Sequence, residues 1–169
     1  SLNLAVETKR GQKQTAAQGY SCGGIPPFGL RRVEIKNEHG KAKIRWEPDP
    51  ETAPLVREIY SSFAAGKGLK AIAYDLNARG IRSPRGGDWT QNSLHYILFK
   101  NQPAYLGRLI FNREDNSRPG HKFKPESEWV VVNDAWPAII DQETFDRAEA
   151  ERIKRQRRLG RVFADKPVE

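Results

Sequence analysis

Apolar positions recur along this chain in short stripes of helical period. Leu69, Ile72, Ala73 and Leu76 fall at i, i+3, i+4 and i+7, the spacing of a helix packed on a core. Val56, Ile59, Tyr60 and Phe63 form a second stripe. They predict a helix opened by Asp49-Pro50 as N-cap and first residue and continuing to about Ala65, with Pro54 early enough to do little harm. Leu94, Ile97 and Leu98 mark the buried side of a third helix over residues 90–100, with Thr90 as its N-cap. Gly80 stands where a helix ends in a left-handed residue. Between it and the third helix, residues 81–89 carry Arg82, Pro84, Arg85, Gly86 and Gly87, which is loop chemistry, with Trp89 as core. Leu2, Ala5 and Val6 give a shorter stripe to a helix over residues 1–18, too small to fold alone.

Elsewhere the period changes to two. Residues 31–36 and 41–46 alternate around Asn37-Glu38-His39-Gly40 and predict a hairpin. Residues 106–111 and 129–132 predict two antiparallel strands. Between them, residues 112–128 form a long polar loop with Arg113, Arg118, Lys122 and Lys124, either a basic tip or a solvated loop. Trp136-Pro137-Ala138-Ile139-Ile140 leads into a helix starting near Asp141, packed back through Ile140, Phe145 and Ala148. Residues 19–30, GYSCGGIPPFGL, are too rich in glycine and proline for a helix and read as a linker. The fold class expected is α+β, mostly helical, with small antiparallel β-hairpins.

Charge sharpens this picture. The 169 residues hold 29 Lys and Arg against 21 Asp and Glu, a net charge of +8. Residues 1–45 carry +6, 46–81 carry −1, 82–124 carry +5, 125–151 carry −7 and 152–169 carry +5. Any single run reads as a solvated face; the alternation suits one surface that meets phosphates and another that does not. No run of about 18 apolar residues provides a membrane span, and residues 1–12 lack the apolar core of a signal peptide. One cysteine, Cys22, allows no internal disulfide and points to the reducing cytoplasm. His39, His95 and His121 are too scattered for a zinc site, so neither metal nor cofactor is expected. Ser21-Cys22 has no neighbouring base, and Gly86-Gly87 fits no nucleotide-binding pattern, so no catalytic residue is assigned.

Opposite the apolar stripe of the third helix, a helical wheel places Asn92, His95, Tyr96 and Phe99. An amide, an imidazole, a phenol and a phenyl ring without an acid, flanked by arginines, suit a DNA major groove. The same stretch, IRSPRGGDWTQNSLHYIL followed by NQPAYLGRLIF, resembles the DNA-binding "recombinase" domain of large serine recombinases, the serine integrases and related transposases. GGIPPFG and PDPETAPLVREIY match that family's leading segment and first helix, and the resemblance extends over roughly residues 9–152. Gly68 replaces a frequent serine cap, Trp136 a usual histidine, and NQPAYLG shifts the spacing after the recognition helix by about a residue.

The resemblance implies a helix-turn-helix, winged-helix-like domain that holds one attachment half-site of double-stranded DNA. Residues 1–18 would be the end of a long helix leaving a catalytic domain, 19–30 a linker along the minor groove, 31–152 the DNA-binding domain, and 153–169 a basic tail. Gln91, Asn92, His95 and Tyr96 would meet base edges, and Thr90, Ser93 and Lys100 phosphates. Arg82 and Arg85 would grip backbone beside the helix, and Lys9, Arg10 and Lys13 would touch phosphate from the first helix. The nucleophilic serine would belong to a resolvase-like domain before this chain, in a parent that assembles as dimers and tetramers in a bacterial or phage-encoded, cytoplasmic setting. No membrane and no small-molecule substrate enter this reading. Two alternatives remain open: a helix-turn-helix transcription regulator, and a protein-interaction module using Tyr96 and Phe99.

Overall fold

The computed structural model describes residues 2–115, 119–120 and 122–164. Arg118, His121 and the last residues of the basic tail lie outside them. In chain order the elements are α1 (Leu2–Ala17), β1 (Leu30–Lys36), β2 (Ala42–Pro48), α2 (Ala53–Ala64), α3 (Leu69–Ala78) and α4 (Gln91–His95). Helix α4 runs on as a wider π-helical turn, Tyr96–Lys100. Then come α5 (Gln102–Tyr105), β3 (Leu109–Phe111), β4 (Glu114–Asp115), β5 (Lys122–Phe123), a 3-10 turn at Glu126–Glu128, β6 (Val130–Val132) and α6 (Gln142–Ala164). The class is α+β, with antiparallel pairs β1–β2, β3–β6 and β4–β5. Among the described residues, no helix is long and apolar enough to cross a membrane.

The chain forms two compact units, Ser1–Ala53 with Asn101–Ile139, and Pro54–Lys100 with Ile140–Glu169. Each draws on two stretches of chain, whereas the division expected from sequence follows covalent order.

In the first unit, β1 and β2 pair from Leu30–Pro48 to Lys36–Ala42, around a turn in which Asn37 Oδ1 accepts from the amides of His39 and Lys41 at 3.1 and 2.9 Å. The glycine- and proline-rich stretch 19–30 is tied at several points. Ser21 N–H donates to Ile44 O at 2.8 Å, the Cys22 thiol to Gln12 O at 3.0 Å, and the Tyr105 hydroxyl to Phe28 O at 2.8 Å. Burial pushes the pKa of Tyr105 well above the ordinary phenol range, so the hydroxyl stays a donor. Trp136 is buried, its indole N–H donates to Ala104 O at 2.8 Å, and its ring meets Trp46 at 5.3 Å. Its role is packing, as a substitution of tryptophan for a usual histidine suggests. Helix α5 has no counterpart in the sequence reading. Four residues cannot display a helical period, and Pro103 disguises them as loop.

In the second unit the predicted stripes are the core. Val56, Ile59, Tyr60, Phe63, Ile72, Ala73, Leu76, Leu94, Ile97 and Leu98 are all buried. Helix α2 begins at Ala53, four residues after Asp49, because residues 49–52 form a turn in which Asp49 Oδ1 accepts from Glu51 N at 2.8 Å. Helix α3 starts at Gly68 without a side-chain cap. It ends in a double closure: Gly80 N–H reaches Asn77 O at 2.9 Å and Ile81 N–H reaches Leu76 O at 3.0 Å, with Gly80 at φ 71°. Asp141 caps α6 by accepting from Thr144 N at 2.7 Å, and these hydrogen bonds hold its carboxyl below the usual range. Further along α6, the Arg155 guanidinium lies 4.9 Å over the Phe63 ring and donates to Gly66 O at 2.8 Å.

Gly107 tests the first unit. It sits at φ 76°, and a Cβ there would lie 2.5 Å from the carbonyl oxygen of Trp136. Gly107→Ala combines a left-handed backbone with a backbone clash and is expected to destabilise by more than about 2 kcal/mol. Gly40→Ala, at φ 73° in open space, should cost only about 1 kcal/mol. Urea midpoints measure both, and equal losses would show that the close approach to Trp136 contributes nothing.

Candidate nucleic-acid interface

The proposed reading helix is built from its N-terminus. Thr90 is extended (φ −125°), and its hydroxyl accepts from Ser93 N at 3.2 Å while Ser93 Oγ accepts from Thr90 N at 2.9 Å. This reciprocal capping box satisfies two amides that a helix start leaves open. It bears out the N-cap expected at Thr90 and also ties the side chains of Thr90 and Ser93 to each other, where the sequence reading had Ser93 only as a phosphate contact. Leu94, Ile97 and Leu98 face inward, and Gln91, Asn92, His95, Tyr96 and Lys100 are exposed.

Phe99 departs from the wheel. It is half-buried and meets Phe63 edge-on at 5.4 Å, instead of standing outward beside Tyr96. The cause is the π-helical turn over Tyr96–Lys100, whose extra residue per turn rotates Phe99 toward α2. The wide turn is held by Tyr60, whose buried hydroxyl donates to Ile97 O at 3.0 Å with Leu98 O at 3.3 Å. His95 then lies between two environments: exposed to solvent, yet 5.0 Å edge-on from the Phe99 ring. The aromatic contact narrows the imidazole's rotamers without taking its nitrogens out of water.

The loop before α4 is a structured turn. Gly86 N–H donates to Ser83 O at 2.8 Å and Ser83 N–H to Gly87 O at 2.9 Å, which puts Pro84 and Arg85 at an exposed tip. Arg85 has no ion pair among the described residues. Arg82 pairs with Asp88 at 3.2 Å, both side chains largely in solvent. An exposed pair of this kind is worth little, so a phosphate can replace the carboxylate at small cost.

One residue of this arrangement was not found from sequence. Asn77 on α3 donates to Trp89 O at 3.0 Å and accepts from Trp89 N at 2.7 Å. The amide thereby fixes the backbone just before the Thr90 cap and ties α3 to the start of α4. The available signal was an asparagine, a poor helix former, next to the apolar stripe of α3. The remaining predicted contacts, Lys9, Arg10 and Lys13, lie on α1 in the first unit. Lys9 and Arg10 are exposed and Lys13 is half-buried.

Asn77→Ala removes both hydrogen bonds to Trp89. It is expected to lower stability by about 1–3 kcal/mol, seen as a reduced urea midpoint. Amide exchange at Trp89 should rise with it; protection unchanged from the parent would mean that the asparagine does not hold this strand of backbone.

Comparison with known proteins places this architecture. Among solved structures, a crystal structure of an LSR–DNA complex aligns over 88% of this chain and 38% of its own, with a TM-score of 0.58 at 16% identity. A structure concerned with the sequence requirements of the Listeria innocua prophage attP site aligns over 86% of this chain and 50% of its own, with a TM-score of 0.52 at 16% identity. The chain thus spans half or less of the length of the structures it resembles, and at this identity the likeness is one of fold. A family model described as Recombinase matches residues 50–155, from the turn before α2 into α6. With both apolar stripes, the Gly80 closure, the loop and α4 inside a match covering well over half of its length, the chain belongs to the Recombinase family.

Proposed function

We propose that this chain is the double-stranded-DNA-binding part of a site-specific serine recombinase, holding one attachment half-site while a separate catalytic domain cuts and rejoins strands. The observation that carries the reading is the outer face of α4. It is a capped helix whose inner side is core and whose outer side offers Gln91, Asn92, His95 and Tyr96 to solvent. No acid interrupts that face, and Arg85 stands at the tip of the preceding turn. A major groove admits one helix, and amide side chains pair with adenine in two hydrogen bonds. Asn92 and Gln91 are the residues assigned to this readout, with His95 and Tyr96 beside them. Lys100, Arg82 and Arg85 supply backbone contacts. Thr90 and Ser93 act first on the helix itself and offer their remaining hydrogen-bonding capacity to phosphate.

The same reading makes α1 the end of a helix entering from the catalytic domain, with Lys9, Arg10 and Lys13 on its phosphate side. Residues 19–30 follow as the connecting stretch, 31–152 as the DNA-binding domain and 153–169 as a basic extension. The parent works as a dimer or tetramer on DNA.

A duplex enriched from a random-sequence pool tests this proposal. Asn92→Ala is expected to lose about 1–3 kcal/mol on the enriched duplex and little on random DNA. Equal loss on both removes Asn92 from base readout.

Arg85→Ala should weaken binding to every sequence and reduce the slope of log affinity against log salt by about one unit. An unchanged slope means that Arg85 meets no phosphate.

A further inference from the structure

A chain of ring contacts within the second unit joins α6 to the reading helix. At one end, the Arg155 guanidinium lies 4.9 Å over the Phe63 ring. It is fixed there from two other sides: Nε donates to Glu151 Oε1 at 2.7 Å and Nη2 to Gly66 O at 2.8 Å. Phe63, buried on α2, meets Phe99 at 5.4 Å with the ring planes at 74°. Phe99 in turn meets His95 at 5.0 Å and 71°. Both contacts have the edge-to-face form that aromatic quadrupoles favour. The ladder thus runs from an ion-paired cation, through two phenyl rings, to an imidazole at the surface.

His95 and Phe99 are four residues apart and would be neighbours in any helix. What distinguishes this pair is that Phe99 cannot move along with His95. Phe63 holds its ring on the core side, and Tyr60 holds the two preceding carbonyls, those of Ile97 and Leu98. An exposed side chain ordinarily loses rotamer freedom when it settles on a ligand, and a ring already braced loses less. The imidazole also has chemistry to offer a base pair. It carries an N–H donor, and in the major groove N7 of either purine is an acceptor.

We propose that His95 is a specificity-determining residue that donates to a purine N7, and that Phe99 and Arg155 are positioning residues that set its ring before DNA arrives. This rests on the DNA-binding reading of α4 and deepens it. One base pair is selected as purine over pyrimidine by a single nitrogen. Helix α6 shares in that selection through Arg155 and Phe63, without touching a base.

Two measurements test the ladder. In the free chain, the ring current of Phe99 should displace the His95 ring protons in the proton NMR spectrum. Phe99→Leu, which keeps an apolar contact with Phe63, should return them to the positions of an exposed histidine, and Arg155→Gln should move them part of the way. On the enriched duplex, His95→Ala should relax selection at one base pair and weaken binding about tenfold, with random DNA unaffected. A 7-deazapurine at that position should cost the parent chain as much and His95→Ala nothing. Phe99→Leu should relax the same base pair, and its combination with His95→Ala should bind like His95→Ala alone. If Phe99→Leu does not fold, Arg155→Gln carries both readouts with smaller changes of the same sense. Undisplaced ring protons, retained selection in Phe99→Leu, or an equal loss on enriched and random DNA overturns the positioning role. Indifference to the 7-deazapurine overturns the assignment of His95. These outcomes leave DNA binding intact, whereas failure of the unaltered chain to enrich any duplex overturns that reading as well.

Discussion

The hydrogen bond from the buried Tyr60 hydroxyl to the carbonyls of Ile97 and Leu98 is the constraint on which the exposed face depends. The carbonyls of a helix's last turn have no donor within the helix and need one from outside. Tyr60, fully buried on α2, supplies it. With the turn fixed, Ile97 and Leu98 stay in the core, Phe99 swings onto Phe63, and His95 and Tyr96 remain outside. At the other end of α4, the capping box and the Asn77 amide fix the starting point. The short helix is therefore clamped at both ends, by the buried Tyr60 hydroxyl at one and by the capping box and the half-buried Asn77 amide at the other. The readout proposed for Asn92 requires such rigidity, because a rotation of a few tens of degrees would carry a bidentate amide off a base edge.

The two units show different solutions to the same shortage of apolar material. The second relies on helix stripes meeting in one core. The first has mainly two-stranded ribbons, which are marginal alone. It compensates by crossing polar ties: Trp136 to Ala104 O, Tyr105 to Phe28 O, and the Gly107 backbone against Trp136. The first two place an aromatic ring in the core and satisfy its polar atom on a neighbouring segment's carbonyl, and the third is a close backbone approach that only glycine allows. The stretch 19–30, rich in residues that favour a flexible tether, is held in place by such ties.

Legibility in the sequence followed the length of each periodic signal. The stripes of α2, α3 and α4, the Gly80 closure and the β1–β2 hairpin all repeat or flank a pattern long enough to read, and the family motifs lie on them. Helix α5 and the ladder β4–β5 are four and two residues long and offer no period. Phe99 was misplaced because a wheel assumes an unbroken 3.6-residue turn, and the shifted NQPAYLG spacing was the one local hint of a change. Asn77 escaped for another reason: its hydrogen bonds reach Trp89, beyond the helix whose pattern was read.

Cys22 gives the connecting stretch an unplanned property. Its thiol is half-buried, bonded to Gln12 O on α1, and desolvation raises its pKa although Lys43 nearby pulls the other way. Half-burial and the bond to Gln12 O hinder ionisation and access of the only sulfhydryl in the chain while the stretch lies against the helix. Lifting that stretch away would restore ordinary reactivity. The protein thus carries an intrinsic reporter, readable by alkylation rate, of whether its glycine–proline strap is fastened.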